Sequence, residues 1–169
     1  MTIAAILRTK GDDVIALTPQ TRVGEAVAVL AEKRIGAVPV CDDGVPVGIF
    51  SERDVVHCLA QAGAGALDRP LSEVMTQPVQ SVGAQENVIG ALSLMTRRRI
   101  RHLPVVEYGR MVGFVSIGDL VKYRIDRIEA DAAAMRDYIQ QGYDGSNDPV
   151  RPAAAACAGS RSVRARCRA

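Results

Sequence analysis

Two short segments of this chain, Ser51-Glu52-Arg53-Asp54 and Ser116-Ile117-Gly118-Asp119, place a serine three residues before an aspartate, 65 residues apart. At a helix start this pattern is a capping box: the Ser side chain accepts from the N3 backbone N–H and the acid reaches back to the cap. The same groups can also hold a ligand. An ionised Asp offers two acceptor oxygens, and a hydroxyl beside the positive end of a helix favours an anion. The motif alone leaves both readings open. A second set of charges lies nearby, Arg97-Arg98-Arg99 and Arg101. Such a run often ends a solvated helix, but guanidinium is also suited to bidentate phosphate contacts.

The elements that must position these groups are themselves repeated. Val14–Cys58 aligns with Val79–Tyr123 without a gap, with 14 of 45 positions identical. In each copy a short strand (Val14–Leu17, Val79–Val82) precedes a helix. The first helix carries Val23, Ala26, Val27, Leu30 and Ala31 at the spacing of one buried face. A strand follows in each copy (Gly36–Val40, Arg101–Glu107), then a turn at Asp42-Asp43-Gly44 or Tyr108-Gly109. The strands Val45–Phe50 and Met111–Val115 return from these turns, Asp-Gly being a strong hairpin signal. Helices begin at Ser51 and Ser116. Residues 1–13 read as a short lead-in, and Gln61–Pro70 as a linker followed by a single turn near Leu71–Met75. The last helix is expected to run to about Gln141, with Ile125, Ile128, Ala132, Met135 and Ile139 forming a narrow apolar stripe that packs on a neighbouring domain or subunit.

Each copy alone is too small for a good core, so the two are expected to share one and to form a pseudo-twofold cleft. The net charge of +2 hides a division: residues 151–169 hold five arginines and no acid, leaving 16 basic against 19 acidic residues elsewhere. Residues 144–169 read as a disordered basic tail. With no Trp, two Phe and four Tyr, stacking platforms for single-stranded nucleic acid are not expected. Nucleic acid is an unlikely partner, although the tail could supply weak, salt-sensitive contacts. Cys41, Cys58, Cys157 and Cys167 form no C-x-x-C pair and have no His at ligand spacing, so they read as free thiols and no metal site is expected. No signal segment and no apolar run of about 18 residues is present, which points to a cytoplasmic protein with no membrane contact.

The β-α-β-β-α order resembles a tandem of cystathionine β-synthase (CBS) domains, a Bateman module of the small bacterial stand-alone type. The resemblance rests on Gly36-Ala37-Val38-Pro39-Val40 and Arg101-His102-Leu103-Pro104-Val105, the Val47-Gly48 and Val112-Gly113 pairs, and the closing Ser-x-x-Asp. It implies an α/β (α+β) fold of two repeats, 10–62 and 71–126, with a helical extension over 127–143. It implies binding rather than catalysis, no catalytic cofactor, adenine nucleotides (AMP, ATP or NAD(H)) as ligands, a homodimer, and a regulated protein acting in trans. By the resemblance a first nucleotide site takes Lys10, Ile15, Ile35, Gly36, Ala37, Val38, Pro39, Ser51, Arg53 and Asp54. A second takes Thr76, Val79, Arg99, Ile100, Arg101, His102, Leu103, Pro104, Ser116, Gly118 and Asp119. In each, the Asp meets ribose hydroxyls, and the strand before the proline meets adenine. Gly36/Arg101, Ala37/His102 and Arg53/Gly118 differ between the copies, so the two sites are expected to be unequal.

Overall fold

Each copy builds a two-stranded antiparallel hairpin, flanked by helices that bury one face against it. The computed structural model describes residues 1–11 and 14–144. A first helix, α1 (Ile3–Lys10), leads into α2 (Val23–Lys33), β1 (Ala37–Asp42), β2 (Val45–Ser51) and α3 (Glu52–Ala62). The second copy contributes α4 (Val88–Arg98), β3 (His102–Glu107), β4 (Arg110–Ser116) and α5 (Ile117–Asp144). Both hairpins close on two residues at positive φ, Asp43-Gly44 and Tyr108-Gly109, the backbone that a tight hairpin twist requires. The hairpins meet through Met111 N–H donating to the Gly44 carbonyl at 2.9 Å.

The two strands expected at Val14–Leu17 and Val79–Val82 contract to single parallel bridges, Leu17 to Val40 and Val82 to Val105. Each bridge uses two backbone bonds: Leu17 with Pro39 and Cys41, Val82 with Pro104 and Val106. Thr18-Pro19 and Gly83 follow at once and stop the pairing. The prolines sit inside β1 and β3, not at a strand end, and each of these is an edge strand of a two-stranded sheet. Ile49, opposite Pro39, turns its N–H and C=O away from β1 to Thr76, so the missing proline donor breaks no ladder bond.

Two apolar clusters hold the fold. One gathers Val23, Ala26, Leu30, Val38, Val40, Phe50, Cys58, Ala66 and Leu71. The other gathers Val82, Val88, Ala91, Met95, Leu103, Val105, Val115 and Leu120 with Ile3, Ile6 and Leu7. Of the expected α2 face, Val23, Ala26 and Leu30 are buried, Val27 is half-buried and Ala31 is exposed. Cys41 and Cys58 are buried free thiols.

Residues 1–10 are therefore not a lead-in: α1 is part of the second copy's core. Its Ile3, Ile6 and Leu7 repeat the spacing of Leu71, Val74 and Met75, which pack on the first copy. Thr2 bridges Asn87 as Pro70 bridges Arg22, at equivalent positions of the repeat. Each leading segment thus docks on the copy that does not follow it directly. The two glycines shared by the repeat make room for this: a Cβ on Gly113 would lie 2.6 Å from Leu7 Cδ2, and one on Gly48 would collide with Met75. The linker also carries structure, a 3-10 turn at Gly63–Asp68 that buries Ala66. The last helix is three residues longer than expected and takes in Asp144; the rest of the expected tail lies outside the described residues.

Candidate functional site

Ser51 and Ser116 end β2 and β4 where α3 and α5 begin. The Ser51 N–H and hydroxyl donate to Asp54 Oδ2 at 2.8 and 2.6 Å, and the capping box is complete. Ser116 and Asp119 repeat it at 2.7 and 2.8 Å, with the Asp119 N–H returning to Ser116 Oγ at 3.2 Å. The first backbone amide of each helix is held by the residue just before the other strand of its hairpin: Glu52 N–H donates to the Gly36 carbonyl and Ile117 N–H to the Arg101 carbonyl. The structural reading of the motif therefore holds in both copies. What differs is each carboxylate's further partner.

Asp54 Oδ1 accepts from the Thr76 hydroxyl at 2.9 Å. Asp119 Oδ2 instead meets the Lys10 ammonium at 2.7 Å, and that ammonium also donates to the Phe114 carbonyl. Phe114 is the repeat equivalent of Ile49, whose carbonyl accepts from the Thr76 N–H. Lys10 and Thr76 thus fill matching places on opposite copies, exchanged relative to the sequence expectation. The cause is the crossing of the leading segments. Burial raises the proton affinity of Asp119, but hydrogen bonds from Lys10 and Ser116, with the Lys10 charge, outweigh it and hold the carboxyl below the usual range.

Between the copies opens a cavity of about 440 Å³, lined by Gly36, Ile49, Ser51, Glu52, Arg53, Asp54, Thr76, Arg98, Arg99, Ile100, Arg101 and His102. That volume lies within the roughly 300–1,000 Å³ of small-molecule sites. The cleft joins residues assigned to two separate sites by sequence, because it is built across the repeat and not within one copy. Among the described residues none of Arg53, Arg98, Arg99 and Arg101 has a carboxylate within salt-bridge distance. Four guanidinium groups against two acids make a wall of positive potential that a bound anion would relieve. Arg99 ends α4 in the left-handed conformation (φ 55°), as Arg34 does for α2. That geometry turns the chain from helix to strand and brings Arg99 and Arg101 to the same rim.

A family model for the CBS domain matches residues 4–61 and 71–126. The chain belongs to the CBS-domain family. Among solved structures it is similar to a CBS-domain containing protein, ATU1752, from Agrobacterium tumefaciens (42% identity, TM-score 0.70, covering 73% of this chain and 99% of that one). It is also similar to the CBS domain protein PAE2072 from Pyrobaculum aerophilum, solved in complex with AMP (28% identity, TM-score 0.63, 70% and 89% covered). Among curated proteins it resembles the CBS domain-containing protein YhcV of Bacillus subtilis, 30% identical over 132 residues, which are 78% of this chain and 93% of that protein.

In this CBS pair the remaining expected site residues fall in three places. Lys10, Ser116 and Asp119 gather outside the lining of the larger cavity, where a second cavity of only about 190 Å³ borders Lys10 and Asp119; Gly118 lies exposed beside Ser116. Ala37, Val38, Pro39, Leu103 and Pro104 are buried, the first, second and fourth at 4%, 0% and 0% exposure, and none lines the cleft. Ile35 packs half-buried on the first core, while Ile15 is exposed and Val79 half-buried, both away from the cleft. Ile49, Glu52 and Arg98 were missed. Ile49 shares a strand face with Ser51 by the two-residue period, and Arg98 belongs to the arginine run, so both were within reach of the sequence.

His102 stacks on Phe114, with ring centroids 5.6 Å apart and planes 6° from parallel. Burial lowers its proton affinity; Asp119 and Glu52 pull it up, Lys10 and Arg101 push it down, and the net is a depressed pKa. A depressed imidazole stabilises the fold above its unfolded pKa of about 6.5 and loses that contribution as pH falls through the folded value. Urea unfolding between pH 7 and 5 is expected to show stability falling with acid, and His102→Asn should flatten that part of the slope. An unchanged slope in His102→Asn would assign the pH dependence to other groups.

Proposed function

We propose that the arginine-lined cleft binds an adenine nucleotide of the AMP, ATP or NAD(H) type, and that the chain is a regulatory module reporting energy or redox state. The observation that carries this reading is the set of four arginines, none with a carboxylate partner among the described residues, that line a cavity of about 440 Å³ together with Asp54. Asp54 would accept from the ribose hydroxyls, its Oδ1 already oriented by Thr76. Arg53, Arg98, Arg99 and Arg101 would hold the phosphates, while Ile49 and Ile100 offer the base apolar contact. The relative from Pyrobaculum aerophilum solved with AMP supports this class of ligand. The end around Lys10, Ser116 and Asp119 would be the weaker site, its carboxylate being already paired.

The reading is one of binding without chemistry. The Ser51 hydroxyl is engaged in its own cap and the His102 ring is stacked on Phe114. The signal would pass through the geometry of a homodimer or to a partner in trans, in the cytoplasm. Among the described residues no helix is long and apolar enough to cross a membrane.

A thermal-shift series with AMP, ATP, NADH and S-adenosylmethionine tests the proposal. A ligand at 100 times its Kd adds about 2.7 kcal/mol of apparent stability, several degrees in Tm for a chain of this size. The phosphate-bearing ligands should raise Tm more than the cationic sulfonium compound. Unchanged melting with all four at millimolar concentration would sink the reading.

A further inference from the structure

The sequence of α5 carries a second pattern, unrelated to the cleft. Val121, Ile125, Ile128, Ala132, Met135 and Ile139 are all exposed, the five larger ones by 43–61%. Their spacing alternates four and three residues without a break. That is a period of 3.5, the a/d seam of a left-handed coiled coil, carried through three heptads. Ile125, Ala132 and Ile139 take the a positions; Val121, Ile128 and Met135 take d. We propose that this face is the dimer seam: α5 pairs with α5 of a second copy as a parallel, in-register, two-stranded coiled coil.

The flanking charges select both the occupant and the direction. In this register Arg124 and Asp131 stand at g, and Lys122, Glu129 and Arg136 at e. Parallel strands set g against the e position five residues on. Arg124 then meets Glu129 of the second copy, and Asp131 meets Arg136 of the second copy. Both contacts are attractive. The antiparallel alignment that overlaps all six apolar layers instead sets g against g and e against e. It brings Asp131 onto Asp131, Glu129 onto Glu129, and Lys122 onto Arg136. All three are repulsive. The helix is therefore complementary to itself in one orientation and opposed to itself in the other. This pairing is independent of what the cleft holds.

Light scattering of the full chain after gel filtration should give the mass of two chains. Ile128→Asp, a change at an exposed position that the fold of one copy tolerates, should weaken association at least tenfold and release monomers. Glu129→Arg should weaken it as well, and adding Arg124→Glu should restore it by reversing the pair. In a chain with Cys157→Ser and Cys167→Ser, Ile128→Cys should oxidise to a covalent dimer, because d faces d only in a parallel pair. A wild-type mass other than two chains would overturn the proposal, as would a dimer indifferent to Ile128→Asp. Absence of charge-swap rescue, or no Ile128→Cys crosslink, would overturn the parallel arrangement.

Discussion

The double substitution Arg99→Ala, Arg101→Ala is expected to weaken binding of AMP or ATP about a hundredfold, while the nucleotide-free protein unfolds within about 0.5 kcal/mol of wild type. Both side chains are exposed on the cleft rim, and neither has a carboxylate within salt-bridge distance among the described residues. Their removal therefore breaks little in the empty fold. In the complex each would supply a charge-assisted hydrogen bond to phosphate, worth about 1.5–3 kcal/mol. Two at the lower end amount to about 3 kcal/mol, or roughly a hundredfold in Kd. Arg110→Ala is the matched control. Arg110 lies outside the cleft, paired with Asp43 at 3.4 Å, and its loss should leave affinity unchanged. A control loss half as large, in free energy, as that of the rim variant would mean that only overall charge matters.

Removing residues 1–10 should have the largest effect on stability. Ile3, Ile6 and Leu7 are 0%, 4% and 8% exposed, and each buried aliphatic side chain contributes about 1.5–3 kcal/mol. Their joint loss, about 4.5–9 kcal/mol as an upper estimate, is comparable with the whole stability of about 5–15 kcal/mol expected for a domain. The backbone bonds from Ile3 to Glu86 and from Ala4 to Ala84 would go as well. Denaturation followed by circular dichroism should show the truncated chain largely unfolded at 25 °C or melting far lower. The milder Leu7→Ala should cost about 2–5 kcal/mol. A truncated chain as stable as the full one would show that α1 is dispensable to the core.

These expectations separate what was legible in the residues from what was not. The repeat, the hairpins at Asp43-Gly44 and Tyr108-Gly109, the Ser-x-x-Asp caps and the long final helix could be read because each depends on local spacing and turn chemistry. Gly36 and Arg101, read as marks of two unequal sites, instead line one cavity together. The crossing of the leading segments could not be read in that way. Ile3-x-x-Ile6-Leu7 resembles Leu71-x-x-Val74-Met75 in spacing, but it lies outside the ungapped 45-residue alignment. Nothing local says which copy a segment will cover. Grouping site residues copy by copy therefore exchanged Lys10 with Thr76 and separated Gly36 and Ser51–Asp54 from Arg99–His102, which line one cavity. Val38 and Leu103 bury their side chains in the two cores, so the strands before the prolines offer a ligand their backbone rather than those side chains.

The central claim is that a nucleotide enters the cleft between the repeats at its arginine-rich end. Amide chemical-shift mapping of the isotope-labelled full chain during titration with AMP tests this most directly. The account predicts that the first shifts appear at Gly36, Ser51–Asp54, Thr76 and Arg99–His102, with Lys10 and Asp119 following only at higher concentration. Shifts that begin at Lys10 and Asp119, or none at millimolar AMP, ATP and NADH, would contradict it.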